Sequence, residues 1–126
     1  MSAVLAIHEA LLSAHGGRQG LLDEGKLEGA LARPQNLFAY ETPDVFQLAA
    51  AYARGLTQDH PFLDGNKRTA LTIAGVFLEL NGFRLEAPEA EAVTTMLALS
   101  TGDLDEAGFA EWLRRSSRKM PRQKKR

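Results

Sequence analysis

The stretch HPFLDGNKRTALTIAGVFLEL, residues 60–80, decides how this chain folds and what it can do. Its second half is a helix in pattern. Ala70, Leu71, Ile73, Ala74, Val76, Phe77 and Leu80 recur at helical spacing, and Asn81-Gly82 supplies a stop. The spacing predicts a helix over 66–80, entered through the turn Asp64-Gly65-Asn66, where glycine permits a backbone that a Cβ would hinder. The free N–H groups of the first helical turn and the helix dipole make such a start an anion site. The residues around the turn suit phosphate. Lys67 offers a point charge and Arg68 a planar fork. Asp64 is an acid of the kind that holds Mg²⁺ beside a triphosphate. His60 ends the preceding helix and faces the same turn; an imidazole, with an ordinary pKa of about 6.5, takes a proton from a hydroxyl near neutral pH. Pro61 stiffens the loop and Phe62 anchors it in the core.

Working outward, helical period dominates. Ser2 caps a first helix to about Ala14, stopped by Gly16-Gly17, and Asp23 caps a second over Glu24–Ala32 that ends before Pro34. Residues 35–41 read as an exposed loop or short hairpin. Thr42-Pro43-Asp44 reads as a cap, a proline at the first helical position and an acid in the first turn of a third helix that runs to about Gln58. The motif helix follows, then a short extended link over 81–85. Pro88 starts a fifth helix, and Asp103 with Glu106 stands at capping-box spacing before a sixth. The expected fold is all-α: a compact single-domain bundle of about six helices, with the motif helix central and a loop or flap before the third. His8 and His15 lack polar company and read as surface positions; Thr69 and Thr72 read as ordinary helix positions.

Composition sets bounds. At 126 residues and 44% hydrophobic, the chain reads as one globular domain, and with no cysteine it has neither disulfides nor thiolate metal sites. No apolar run approaches the roughly 20 residues of a membrane span, and the N-terminus lacks the basic start of a secretory signal, so a cytoplasmic protein is expected. The net charge of −1 conceals an asymmetry. Residues 114–126 carry eight basic residues and no acid, leaving seven basic against sixteen acidic residues, a charge of −9, in the rest. The division drawn is a folded domain over 1–115 and a basic, disordered tail over 116–126. The tail reads first as a solvated end; contact with nucleic acid is the weaker alternative, since no aromatic residue is interleaved for base stacking.

The motif resembles the signature of the Fic/Doc family, His-Pro-Phe-x-Asp/Glu-Gly-Asn-Gly/Lys-Arg. His60, Pro61, Phe62, Asp64, Gly65, Asn66 and Arg68 all fall in register. Position 67 is Lys, as in the death-on-curing (Doc) branch, where Fic adenylyltransferases have Gly; Gly65 gives the turn a Fic-like character. Segments such as Ala32-Arg33-Pro34-Gln35, Tyr40 and Asp44-Val45-Phe46 resemble the family's upstream region, so the likeness covers roughly residues 4–115.

The resemblance implies a toxin of a type II toxin–antitoxin system. His60 would act as general base. Asp64 would hold Mg²⁺, and Gly65, Asn66, Lys67 and Arg68 would bind the phosphates of ATP. Arg33, Gln35 and Tyr40 would belong to a flap that positions the target peptide. Likeness to Doc toxins implies transfer of the γ-phosphate to a threonine of a translation protein such as elongation factor Tu. Likeness to Fic enzymes implies transfer of AMP, and a catalytically silent Fic-fold module that binds nucleic acid or protein is the third reading. No glutamate here has Ser or Thr four residues before it, so the family's self-inhibitory Ser/Thr-x-x-x-Glu helix is lacking. Restraint is then expected in trans, from an antitoxin of the Phd type.

Overall fold

The computed structural model describes residues 2–16, 20–21, 23–40, 42–62 and 65–121. Among these, six helices and one two-stranded ribbon follow in the order α1 (Ser2–His15), α2 (Glu24–Tyr40), α3 (Val45–Asp59), α4 (Asn66–Leu80), β1 (Phe83–Leu85), α5 (Glu89–Thr101), α6 (Glu106–Ser116) and β2 (Ser117–Lys119). The fold is the expected all-α bundle, and the motif helix has the expected bounds. No described helix is long and apolar enough to cross a membrane.

Helix α3 shares the centre with α4. It packs against α2, α4 and α6, and α4 in turn meets α1, β1 and α5. The buried face of α3 is small-residue rich: Ala49, Ala50, Ala53 and Gly55 bring neighbouring backbones close, while Leu56 and Phe46 fill the larger gaps. Caps fix its start. The Asp44 carboxylate accepts from the Gln47 amide at 2.8 Å and the Gln47 side chain accepts from the Asp44 amide at 2.8 Å, a reciprocal capping box. The cap is therefore Asp44, two residues later than Thr42. A similar shift occurs at α6, where Asp105 rather than Asp103 accepts from the Gly108 amide at 2.7 Å. At α2 the cap is the expected one: Asp23 accepts from the Lys26 amide at 3.1 Å.

The largest departure from expectation is α2 itself. The helix does not stop before Pro34 but runs through it to Tyr40, so Arg33, Gln35 and Tyr40 lie on a helix and not in a loop or flap. Proline removes the amide that would serve the carbonyl of Ala30, a loss the surroundings offset. Pro34 is buried, and the Ala30 carbonyl lies against Gly55 of α3, so near that a Cβ on Gly55 would come within 2.8 Å of that oxygen. One residue before the proline, Arg33 donates to Glu106 of α6 and ties the helix across the bundle. Close packing on both sides of residue 34 thus overrides the local stop signal.

The basic C-terminal segment also begins differently. Ser117–Lys119 pairs antiparallel with Phe83–Leu85, in the register Phe83 to Lys119, Arg84 to Arg118 and Leu85 to Ser117. A tail starting at 116 is thereby corrected: residues 117–119 complete a ribbon, with Phe83 set edge-on to Phe46 at 4.9 Å. Arg114 donates to Asp44 and Glu111 and covers the Phe46 ring at 5.3 Å, and its hydrogen bond to Asp44 raises its pKa further above the usual range. Residues 122–126 lie outside the described residues.

The α2–α3 crossing makes a direct test. Gly55→Ala should destabilise the chain by roughly 1–3 kcal/mol, the cost of forcing a methyl group into a backbone contact. Gly29→Ala, on the same helix pair but with open space at its Cβ, should not. Urea unfolding midpoints of the two variants decide it.

Candidate phosphate site

The site is built where α3 hands over to α4. Asp59 ends α3, and His60 caps it in the left-handed conformation, φ 47° and ψ 57°, with its side chain exposed. A non-glycine residue there is strained by about 1–2 kcal/mol, and such strain gathers at functional positions. Pro61 and Phe62 then turn inward and are fully buried. The loop is tied from outside as well, by the Asp23 amide to the Pro61 carbonyl at 3.3 Å and by a bridge between Leu21 and Phe62. Leu63 and Asp64 lie outside the described residues, so the expected Mg²⁺ ligand carries no geometry here.

Gly65 caps α4 at φ 78°, a conformation that disfavours any side chain whatever the space around it. Its carbonyl accepts from the Thr69 amide at 2.9 Å. Asn66, only 9% exposed, is the first helical residue and holds the turn shut. Its Oδ1 accepts from the Phe62 amide at 3.1 Å and its Nδ2 donates to the Phe62 carbonyl at 3.0 Å. Both ends of the carboxamide are thus bonded to backbone, and what Asn66 offers an anion is its main-chain N–H. Lys67 and Arg68 are exposed on the first turn.

Gly65, Asn66, Lys67 and Arg68 line one end of a cleft of about 640 Å³. Its other wall is α5, which contributes Glu89, Val93 and Met96, with Leu71 of α4 between. A lining that combines the cations Lys67 and Arg68 with apolar Leu71, Val93 and Met96 suits a ligand with a phosphate head and an apolar body. His60 precedes this cleft in the chain and is absent from its lining, as are Arg33 and Gln35 of α2. Arg33 is engaged with Glu106, and Gln35 is exposed.

Two contributors were not legible in the sequence. The α5 wall reads as ordinary core spacing; only the structure shows Val93 at 64% exposure on the rim of a cleft. His8, expected at the surface, is 5% exposed and stacks on Phe62 with ring centroids 3.7 Å apart and planes 10° apart. Nothing within α1 signals this contact, because its partner lies 54 positions along the chain.

The chain is an all-α bundle that presents a glycine-capped helix start and two cations to a cleft. Residues 1–78 match the model of the Fic/DOC family, and the chain belongs to it. It is 37% identical over 114 residues to the protein kinase doc of Escherichia phage P1, covering 89% of each chain. It is 39% identical over 110 residues to the Toxin Doc of Mycolicibacterium smegmatis (strain ATCC 700084 / mc(2)155), covering 77% of this chain and 83% of that one.

The backbone at the turn yields two tests. His60→Gly should be at least as stable as the parent, since glycine relieves the left-handed strain, whereas His60→Val should lose more than about 1 kcal/mol. Asn66→Ala leaves the buried Phe62 amide and carbonyl without partners and should cost about 1–3 kcal/mol. Equilibrium denaturation reads all three.

Proposed function

We propose that this chain is the toxin of a toxin–antitoxin pair, acting as an ATP-dependent transferase on a hydroxyl of a translation protein. The observation that carries the reading is a glycine-capped helix start, Gly65–Arg68, that puts two cations on a cleft, with His60 capping the preceding helix just ahead of it in the chain. Family membership and two relatives named Doc support it.

The chemistry assigned is phosphoryl transfer. His60 accepts the proton of the target hydroxyl, the hydroxyl oxygen bonds to the γ-phosphorus, and the bond from that phosphorus to the β–γ bridging oxygen breaks, releasing ADP. The main-chain N–H groups of the first turn, with Lys67 and Arg68, bind and orient the phosphates; Arg68 acts as a fork and Lys67 as a point charge. Asp64 is the residue assigned to Mg²⁺, an ion that typically takes one or two protein carboxylates and completes its shell with phosphate and water. When bound, the ion neutralises phosphate charge.

A threonine of elongation factor Tu is the proposed acceptor, and the cytoplasm the proposed place of action. An antitoxin of the Phd type is the proposed restraint, in keeping with the lack of a self-inhibitory glutamate motif. Gly65 keeps AMP transfer as the second reading, because the turn shares its glycine with the adenylyltransferase signature. Lys67 favours the kinase. A cation at the nest occupies space and adds charge where backbone N–H groups alone would otherwise meet the phosphates.

Expression of the parent should arrest growth, and His60→Ala, folded and equally abundant, should not. Intact mass of the target after incubation with ATP separates the chemistries: a gain of one phosphate marks the kinase and a gain of one AMP the adenylyltransferase. Lys67→Gly should weaken phosphate transfer. A folded His60→Ala that still arrests growth overturns the role of His60, and an unmodified target in an arrested cell overturns the transferase.

A further inference from the structure

We infer that His8 is a positioning residue for the phosphate turn, acting from beneath it through both Phe62 and Gly65. The inference rests on the reading of Gly65–Arg68 as the phosphate site, and it assigns a role to a residue outside the motif and outside the cleft lining.

His8 sits in the middle of α1, and its imidazole lies face to face on the Phe62 ring. The same ring reaches the turn: a Cβ built on Gly65 would lie 3.5 Å from His8 Nε2 and 3.6 Å from Cδ2, with Leu12 Cδ2 also at 3.5 Å. One side chain therefore stacks on one of the fixed points of the turn and lies beside another. The first is Phe62, whose amide and carbonyl clamp the Asn66 side chain. The second is Gly65, the cap whose left-handed backbone aims the first N–H groups. Displacing His8 moves both together.

The choice of residue supports positioning over filling. A buried imidazole has a desolvation cost that phenylalanine or leucine would avoid. A side chain at Gly65 would meet its Nε2 edge, and the residue is only 5% exposed. Nor is the ring locked in by packing alone. A cavity of about 290 Å³, lined by Leu5, His8, Glu9, Leu12, Leu21 and Phe62, adjoins the stack, so the ring has room to shift if its contacts are altered. Anion-binding N–H groups must be held to within about 0.5 Å of productive geometry, a tolerance that such a shift would exceed.

His8→Phe keeps the ring and the stack but removes the polar edge. In the full chain it should leave the melting temperature near that of the parent. Exchange of the Phe62 amide and of the Asn66 side-chain amide, followed by NMR, should quicken about tenfold, and KM for ATP should rise about tenfold, with α3 and α6 amides unaffected, the scale of effect expected of a sub-ångström misplacement. The exchange measurement needs no nucleotide, so it tests His8 even if the parent proves not to use ATP. A His8→Phe variant with parental exchange and parental KM overturns the inference and leaves His8 a core aromatic. Should His8→Phe fail to fold, the unmutated protein gives the answer. Adding ATP must shift the His8 imidazole resonances along with the Gly65–Arg68 amides, and imidazole signals that stay fixed while those amides move also overturn it.

Discussion

The carboxamide of Asn66 is the constraint from which the rest of the site follows. Bonded at both ends to the backbone of Phe62, it closes the loop between α3 and α4 into a turn of fixed shape. With the turn closed, Gly65 adopts its left-handed cap and the first amides of α4 stand free of intrahelical partners. The same closure drives Phe62 into the core, where it becomes an anchor for α1 through His8. Each bond is an ordinary neutral hydrogen bond of modest net worth, but both bind buried backbone groups whose loss would be costly. Local hydrogen bonding, core burial and ligand geometry are therefore one structure, not three.

That coupling explains why the site tolerates strain. His60 is held in a left-handed conformation between a helix end and a buried proline, and the packing of Pro61 and Phe62 on its far side over-determines it. A relaxed backbone at residue 60 would alter the path of the loop that the turn depends on. The bundle supports this from below: α3 is drawn close to α2 at Gly55 and covered by α6, so the end of α3 that bears His60 belongs to the most densely packed helix.

What the sequence made legible was what local chemistry decides. The bounds of α4 follow from a turn-forming glycine, an apolar period and Asn81-Gly82, all within a few residues of the ends they set. The anchoring of Phe62 and the polar turn are legible on the same grounds. What was not legible depended on distant partners. Pro34 reads as a stop until Gly55 and Glu106 are set beside it. Thr42 and Asp44 both qualify as caps, and the reciprocal bond with Gln47 selects the second. Ser117–Lys119 reads as solvated tail because its partner strand lies more than thirty residues earlier. His8 looks solitary because Phe62 is remote in sequence, and the α5 wall of the cleft looks like core.

Amide chemical-shift mapping of an ATP titration on the full chain tests the central claim most directly, that the Gly65–Arg68 turn is the nucleotide phosphate site. The account predicts the largest shifts at the amides of Gly65, Asn66, Lys67 and Arg68, with smaller ones at Val93 and Met96 of the opposing wall. Shifts concentrated instead on the basic ribbon of Phe83–Leu85 and Ser117–Lys119, with the turn unmoved, would contradict it.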